Sequence, residues 1–259
     1  MILERYEWGD PEAPPLVLIH GVGSNGRSFA RAAERWAERF RVVAFDLRGH
    51  DRSGWDPPWT HATYVADLIE SVDALGLARP DWLGYSFGGR LLIDMAVSHP
   101  ERIGSSILLE PVIRISPELA HRRAQEELTG DLWPSAEEFL AAHAERDGDM
   151  PEGAVEEALA DFDTLPDGRI RRRTSQAAIV SIFSEFAAEP PPPSTLTRPT
   201  QLIYAPAFGL VTAEQVTAYR PHLDDVVEVP GLHSVFWAAF EETVAAVERF
   251  LTTSRPSRT

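Results

Sequence analysis

Short apolar runs recur along the chain, and segments with the spacing of amphipathic helices separate them. The runs cover residues 16–19, 42–45, 82–83, 106–109, 201–204 and 226–229. Continuous apolar runs of this length are typical of strands that are buried on both faces of a parallel sheet. Between the first two runs, Phe29, Ala33, Trp36 and Phe40 follow one another at helical spacing. This alternation of strand and helix predicts an α/β fold with a mostly parallel sheet.

The alternation stops after residue 111 and resumes near residue 196. The intervening segment is acidic, and its spacing predicts helices over 118–128, 136–145 and 154–162. It ends in four consecutive prolines at 190–193, which form a stiff spacer. We interpret residues 1–111 and 196–259 as the core and residues 112–195 as a helical insertion. The three arginines at 171–173 are interpreted as the solvent-facing side of a helix.

The composition narrows the chemistry that is open to the chain. It has 259 residues, 40 Asp and Glu, 24 arginines, no lysine and no cysteine, with a formal net charge of -16. The missing residue types exclude a thiolate nucleophile, a disulfide framework, a cysteine-bound metal and a Schiff-base lysine. The negative charge argues against nucleic acid and anionic membranes as partners. Small neutral or apolar molecules remain as the expected partners.

The first ten residues, MILERYEWGD, carry charges at positions 4, 5 and 7, unlike the apolar stretch of a secretory signal. The apolar runs are also far shorter than the roughly 20 residues that cross a bilayer. We therefore expect a soluble, cytoplasmic protein.

The sequence GYSFG at residues 84–88 has a strand pattern before it and a helical pattern after it. In this G-x-S-x-G arrangement, a sharp strand-to-helix turn exposes the serine hydroxyl above the sheet. The N-terminus of the following helix favours a developing negative charge. We therefore predict that Ser86 is a nucleophile.

The sequence HGVG at residues 20–23 directly follows the first predicted strand. A loop in that position is expected to lie beside the Ser86 turn, where its backbone can help to bind an oxyanion. We assign the oxyanion hole to the backbone amides of Val22 and Phe87, the second being the residue after the nucleophile. His20 is interpreted as a structural residue that holds this loop.

A histidine in the loop after the last predicted strand is the expected general base, and His233 in the sequence PGLHS occupies that place. The other histidines form no pair with the i, i+4 spacing of a zinc-binding helix. No metal and no cofactor is predicted.

Together, these motifs resemble the α/β-hydrolase fold superfamily over most of the chain outside the insertion. The matching motifs are HGVG (20–23), DLRGHDRS (46–53), GYSFG (84–88), HPER (99–102) and GLH (231–233). The resemblance implies a mostly parallel central sheet flanked by helices, an inserted helical cap, and a triad of serine, histidine and an acid. In this superfamily the second motif usually has the sequence D-x-R-G-x-G-x-S. Here Asp51 replaces the second glycine, which is expected to alter the turn.

The triad acid that most members of the superfamily use is missing. It normally lies in the loop after the strand at 201–204, where this chain has Phe208. Active sites of open α/β sheets lie at the carboxyl ends of the strands. Glu110 ends the strand at 106–109, and some families of this fold, including certain lactone hydrolases and dehalogenases, take their acid from that strand. We therefore predict Glu110 as the acid.

Other carboxylates are weaker candidates for this role. Glu214 lies downstream of the usual acid loop and is the main competitor, although its position predicts the start of a helix. Asp224 and Asp225 precede their strand, so they are expected at the opposite edge of the sheet. A Ser–His dyad or a degenerate site without an acid stays open as well.

These residues predict a serine hydrolase that cleaves a carboxylic ester or lactone of a small, mostly apolar substrate. Ser86 attacks the acyl carbon, His233 takes its proton, and Glu110 orients the imidazole, giving an acyl-enzyme that water hydrolyses. A serine at this position argues against the aspartate-based chemistry of epoxide hydrolases and dehalogenases. Aromatic residues of the insertion are expected to line the substrate pocket, although packing within the insertion is the alternative for each. They are Trp133, Phe139, Phe162, Phe183 and Phe186.

Two other functions stay open. A carbon-carbon bond hydrolase would use the same triad, and a ligand receptor of this fold would bind a small apolar molecule with little turnover. The complete nucleophile turn, oxyanion loop and histidine favour an enzyme.

Overall fold

A seven-stranded sheet lies at the centre of the protein in the computed structural model, which describes residues 1–128, 132–147, 150 and 154–253. The strands of the chain are Arg5–Trp8 (β1), Pro15–Ile19 (β2), Arg41–Phe45 (β3), Asp81–Tyr85 (β4), Ser106–Leu109 (β5), Leu132–Trp133 (β6), Phe162–Thr164 (β7), Ile170–Arg172 (β8), Thr200–Tyr204 (β9) and Asp225–Glu228 (β10). The central sheet has the order β1-β3-β2-β4-β5-β9-β10. Its strands are parallel except for β1, which pairs antiparallel with β3. The predicted α/β fold is confirmed, and all six predicted strands lie in the parallel part of this sheet.

Helices cover both faces of the sheet. The helices of the described residues are Ala30–Trp36 (α1), His61–Ala74 (α2), Phe87–Ser98 (α3), Pro117–Glu127 (α4), Ala136–Asp147 (α5), Ala154–Leu159 (α6), Gln176–Glu185 (α7), Ala213–Tyr219 (α8), Val235–Ala238 (α9) and Phe240–Thr253 (α10). None of them is long and apolar enough to cross a membrane.

Alternate residues of each central strand enter different cores, because successive side chains of a strand point to opposite faces. In β2, Val17 and Ile19 belong to the core that contains residues of α2 and α3. Leu16 and Leu18 belong to the core that contains residues of α1 and α10. Burial on both faces explains why these strands appear as continuous apolar runs in the sequence.

The connection between β5 and β9 contains α4 to α7 and a second, three-stranded antiparallel sheet of order β6-β8-β7. Two expectations for this segment were wrong. The helix expected over 154–162 ends at Leu159, and Phe162 begins β7. The arginines at 171–173 lie in or directly after β8, where Arg172 and Arg173 form ion pairs instead of facing solvent from a helix.

Candidate active site

The turn at Ser86 has the backbone geometry of a nucleophile elbow. Ser86 lies between β4 and α3 with a φ of 54° and a ψ of -109°, a conformation that a residue with a side chain rarely adopts. The neighbouring glycines are sterically required. A Cβ atom on Gly84 would lie 2.3 Å from the carbonyl oxygen of Gly88, and one on Gly88 would lie 2.2 Å from that of Ile19. The sequence therefore allows α3 to start directly against the sheet and holds Ser86 at the carboxyl edge.

His233 lies next to Ser86, although 147 positions separate them in the sequence. The distance from Nε2 of His233 to Oγ of Ser86 is 3.1 Å. Ser86 is buried, with 5% of its surface exposed. A serine hydroxyl within hydrogen-bond reach of an imidazole nitrogen is the arrangement from which histidine can remove the proton during attack.

The imidazole of His233 also contacts two aromatic rings. The Tyr85 ring lies 5.2 Å from it, centroid to centroid, at 28°, and the Phe208 ring lies 5.0 Å from it at 21°. The Tyr85 hydroxyl donates a hydrogen bond of 2.9 Å to the backbone carbonyl of His233. Phe208, which stands in the usual acid position, therefore stacks on the imidazole of His233.

Glu110 is fully buried at the end of β5 and has a φ of 43°. Its Oε2 atom accepts a hydrogen bond of 2.6 Å from the backbone amide of Ala205, which directly follows β9. Its Oε1 atom accepts no hydrogen bond from the described residues. Burial raises the pKa of this carboxyl to about 7, although the hydrogen bond from Ala205 lowers it. A carboxyl with this pKa would ionise more readily once a positive charge formed beside it.

The other carboxylates that the sequence offered lie elsewhere. Glu214 is the second residue of α8, after the capping residue Thr212, and its side chain is exposed. Asp224 accepts a hydrogen bond from the amide of Thr200, and Asp225 accepts one from the side chain of Gln201. Both contacts are at the amino-terminal ends of β9 and β10, at the edge of the sheet opposite to Ser86.

The oxyanion loop passes close to the nucleophile. A Cβ atom on Gly21 would lie 3.2 Å from the Cβ atom of Ser86. Val22 follows in this loop and lines the cavity described below, and Phe87 is the first residue of α3. The two amides assigned to the oxyanion hole therefore belong to segments on either side of the serine.

Two buried histidines hold this loop. Nε2 of His20 accepts the amide of Leu47 at 2.9 Å, so its Nδ1 carries the proton that it shares with the carbonyl of Gly21 at 2.7 Å. Nε2 of His50 likewise accepts the amide of Gly23 at 3.2 Å. Burial holds the pKa of His20 well below its usual range and lowers that of His50 to about 4. Both are neutral structural residues near neutral pH.

Asp51 occupies its turn with a φ of 39°, in the left-handed region that the glycine usual at this position favours. The carboxylate accepts hydrogen bonds from Arg173 at 2.8 and 3.4 Å, and the Asp51 amide donates to the Arg173 carbonyl at 2.7 Å. The departure from the usual motif thus preserves the turn and adds an ion pair to the β5–β9 connection.

A cavity of about 240 Å³ lies between the core and this connection, and the sequence neighbours of Ser86 and His233 line it. The core contributes Val22 from the loop after β2, Tyr85 directly before Ser86 and Ser234 directly after His233, together with Phe236 and Trp237. Three of the five aromatic residues expected in a pocket line it, namely Trp133, Phe139 and Phe162.

Phe183 and Phe186 are not among the residues that line this cavity. Phe186 is buried and packs against Phe87 and Phe183, at 5.6 and 5.8 Å between ring centroids. Phe186 thus belongs to the core that contains residues of α2 and α3, and Phe183 packs against it.

Two polar residues of the β5–β9 connection, for which the sequence predicted no role in the site, also line the cavity. Asp161 accepts a hydrogen bond of 2.7 Å from the side chain of Asn25, and burial raises its pKa to about 7. Arg172 pairs with Glu127 at 3.1 Å and lies over Gly23 of the oxyanion loop. These residues carry no motif, and only the fold brings them to the site.

A family model described as alpha/beta hydrolase fold matches residues 14–239. The chain is 31% identical to the lipase LipV of Mycobacterium tuberculosis over 80% of each protein. It is 24% identical to the pimeloyl-(acyl-carrier protein) methyl ester esterase of Aliivibrio salmonicida over 97% of each. The crystal structure of E-2-(acetamidomethylene)succinate hydrolase superposes with a TM-score of 0.85 at 23% identity, covering 96% of this chain and 95% of that chain.

The matched range includes Ser86, Glu110 and His233, together with the strands and loops that hold them. The chain belongs to the alpha/beta hydrolase fold family.

Proposed function

We propose that this protein is a serine hydrolase that cleaves a carboxylic ester or lactone of a small, mostly apolar substrate through Ser86, His233 and Glu110. The observation that carries the proposal is the 3.1 Å contact between Oγ of Ser86 and Nε2 of His233, on a strained turn beside a cavity. The relatives named as a lipase and a methyl ester esterase support the choice of an ester bond.

The first half-reaction forms an acyl-enzyme. Oγ of Ser86 bonds to the acyl carbon while Nε2 of His233 takes the hydroxyl proton, and the carbonyl electrons move to the oxygen. The amides of Val22 and Phe87 donate hydrogen bonds to this oxyanion. When the tetrahedral intermediate collapses, the imidazolium gives its proton to the leaving alkoxide. From an ester the resulting alcohol departs, whereas from a lactone the resulting hydroxyl remains part of the acyl group that is bound to Ser86.

The second half-reaction repeats these steps with water. His233 takes a proton from the water molecule as its oxygen bonds to the acyl carbon. Ser86 then leaves as the alkoxide and recovers a proton from the imidazolium, which releases the carboxylic acid.

Glu110 orients the imidazole and stabilises its protonated form in this scheme. Oε2 is held by the amide of Ala205, and Oε1, which accepts no hydrogen bond from the described residues, would accept the Nδ1 proton of His233 in the complex with substrate. The position of Glu110 at the carboxyl end of β5, one strand from Ser86, supports this role. Catalytic hydrogen bonds often shorten only in the complex with substrate.

Residues 112–195 act as a cap over a core formed by residues 1–111 and 196–259. The aromatic side chains of Trp133, Phe139 and Phe162 support this role, since they line the cavity opposite the core residues. Drug-sized ligands occupy pockets of about 300–1,000 Å³. A cavity of about 240 Å³ therefore suits a short acyl group.

The proposal is tested with the Ser86→Ala variant and a panel of a p-nitrophenyl ester, a γ-lactone and a vinylogous diketone. The wild type is expected to cleave the ester or the lactone and to form a covalent adduct with an alkyl phosphonate that mass spectrometry locates at Ser86. Ser86→Ala should lose turnover and adduct, whereas the control Ser98→Ala, at the exposed far end of α3, should keep both. Cleavage of the diketone alone would assign carbon-carbon bond hydrolysis instead. Ester turnover that survives Ser86→Ala would refute the mechanism.

A further inference from the structure

The rings of Tyr85 and Phe208 approach the imidazole of His233 from different parts of the fold. Tyr85 is the last residue of β4, and Phe208 lies in the loop after β9. Both rings are within 28° of parallel to the imidazole, at centroid distances of 5.2 and 5.0 Å.

The loop that carries Phe208 also holds the acid. The Phe208 amide donates to the carbonyl of Ala205 at 3.1 Å, which closes a four-residue turn with Pro206 at its second position. The amide of the same Ala205 donates to Glu110. One short turn therefore fixes both the carboxylate of Glu110 and the ring that covers His233.

Apolar burial alone does not account for Phe208. It is 36% exposed, among the most exposed large hydrophobic side chains of the described residues. About a third of the ring's surface therefore stays in water, where it gains nothing from the hydrophobic effect. Its face instead lies against a group that becomes a cation in each half-reaction, and aromatic faces attract cations.

We propose that Phe208 and Tyr85 are positioning residues that hold the imidazole plane of His233 and stabilise its protonated form. Phe208 thus contributes to the reaction from the place where other members of the fold carry the acid. The inference rests on the proposed function for its kinetic consequence, but the effect on His233 itself is measurable without substrate.

The test compares Phe208→Leu, which keeps an apolar side chain without a π face, with Phe208→Tyr, which keeps the ring. The titration of His233 is followed by NMR of histidine-labelled protein, with His233→Asn to assign the signal. Phe208→Leu is expected to lower the pKa of His233 by about 0.5 and to lower kcat by about twofold to fivefold with KM unchanged. Phe208→Tyr is expected to match the wild type in both.

Two results would overturn the proposal. One is an unchanged pKa of His233 in Phe208→Leu, and the other is the same loss in the leucine and tyrosine variants. Since the NMR titration does not depend on turnover, a protein without ester hydrolysis would contradict the proposed function and still permit this test. A Tyr85→Phe variant separates the ring from its hydroxyl and should retain the pKa of His233, because the stacked ring stays in place.

Discussion

The carboxylate of Glu110 at the end of β5 is held by the amide of Ala205, the first residue after the neighbouring strand β9, at 2.6 Å. The side chain thus reaches towards the loop that carries the triad acid in most members of the family. In the proposed mechanism, this carboxylate from one strand, held by a backbone amide of the next, takes the place of the usual loop aspartate. This relationship makes Glu110 the focus of the first two predictions.

Glu110→Gln should lower kcat for ester hydrolysis by about 10⁴-fold, the effect of removing the charge of a triad acid while its geometry stays intact. The glutamine carbonyl can still accept the Ala205 amide, so the fold should be maintained. The control is Glu214→Gln, at the exposed start of α8, which should leave kcat unchanged. Steady-state kinetics with a p-nitrophenyl ester decides the matter, and full activity of Glu110→Gln would remove Glu110 from the triad.

Glu110 should also make the stability of the folded state fall as pH rises from 4.5 through about 7. Burial raises its pKa from an ordinary value of 4.5 to about 7. Between these values the folded protein keeps a proton that the unfolded chain releases, so this contribution is fully present below pH 4.5 and is lost as pH rises through 7. Relative to the wild type, Glu110→Gln should therefore gain about 3 kcal/mol in free energy of unfolding from pH 4.5 to pH 8.

Urea denaturation of both proteins at several pH values measures this difference. A constant difference across the range would show that Glu110 has the same pKa in the folded and unfolded states, contrary to the effect of burial.

The pair formed by Asp51 and Arg173 should contribute to stability by joining the β5–β9 connection to the core. Their side chains are 8% and 29% exposed and share two hydrogen bonds. A double-mutant cycle with Asp51→Asn and Arg173→Gln should give a coupling free energy of about 1 kcal/mol, towards the upper end for such pairs. Asparagine is chosen because it tolerates a positive φ.

The exposed pair Asp167 and Arg169 is the control for this cycle, since water surrounds both side chains. Its coupling should be indistinguishable from zero. An equally small value for Asp51 and Arg173 would mean that the ion pair does not hold the connection in place.

The size of the cavity should limit the length of the acyl chain that the protein hydrolyses efficiently. Ala142 lines the cavity from α5, and Ala141 beside it faces solvent. Ala142→Phe should lower kcat/KM for p-nitrophenyl hexanoate at least about tenfold while the acetate ester is less affected, because the larger side chain removes space for several methylene groups. Ala141→Phe should change neither value. Equal losses for both esters in Ala142→Phe would indicate damage to the fold rather than a shorter pocket.

The parallel strands could be predicted because burial on both faces leaves a continuous apolar run in the sequence. Strand β1 could not, since Arg5 and Glu7 alternate with partly buried residues at the edge of the sheet. The small sheet of the connection was missed for a related reason. Its strands have two or three residues, and Arg171 and Arg172 provide more charge than a short strand usually contains.

In the candidate site, too, some residues could be predicted from the sequence and others could not. Ser86, the oxyanion loop and His233 lie in local motifs that the sequence displays directly. Glu110 required a topological argument, namely that strand ends converge at one edge. The contact between Phe208 and His233, and the cavity position of Asp161, depend on pairings between distant segments, for which a single sequence holds no signal.

Three residues with side chains, Ser86, Glu110 and Asp51, have positive φ values of 54°, 43° and 39°. Glycine would adopt each conformation without steric cost, so replacing any of them by glycine would relieve backbone strain and remove a side chain that the site uses. Selection of variants for heat resistance alone would thus reward glycine at positions 86 and 110, whereas at position 51 the loss of the ion pair with Arg173 would oppose the gain. Laboratory evolution of this protein therefore has to screen for turnover in every round, since a more heat-resistant population would otherwise include inactive members.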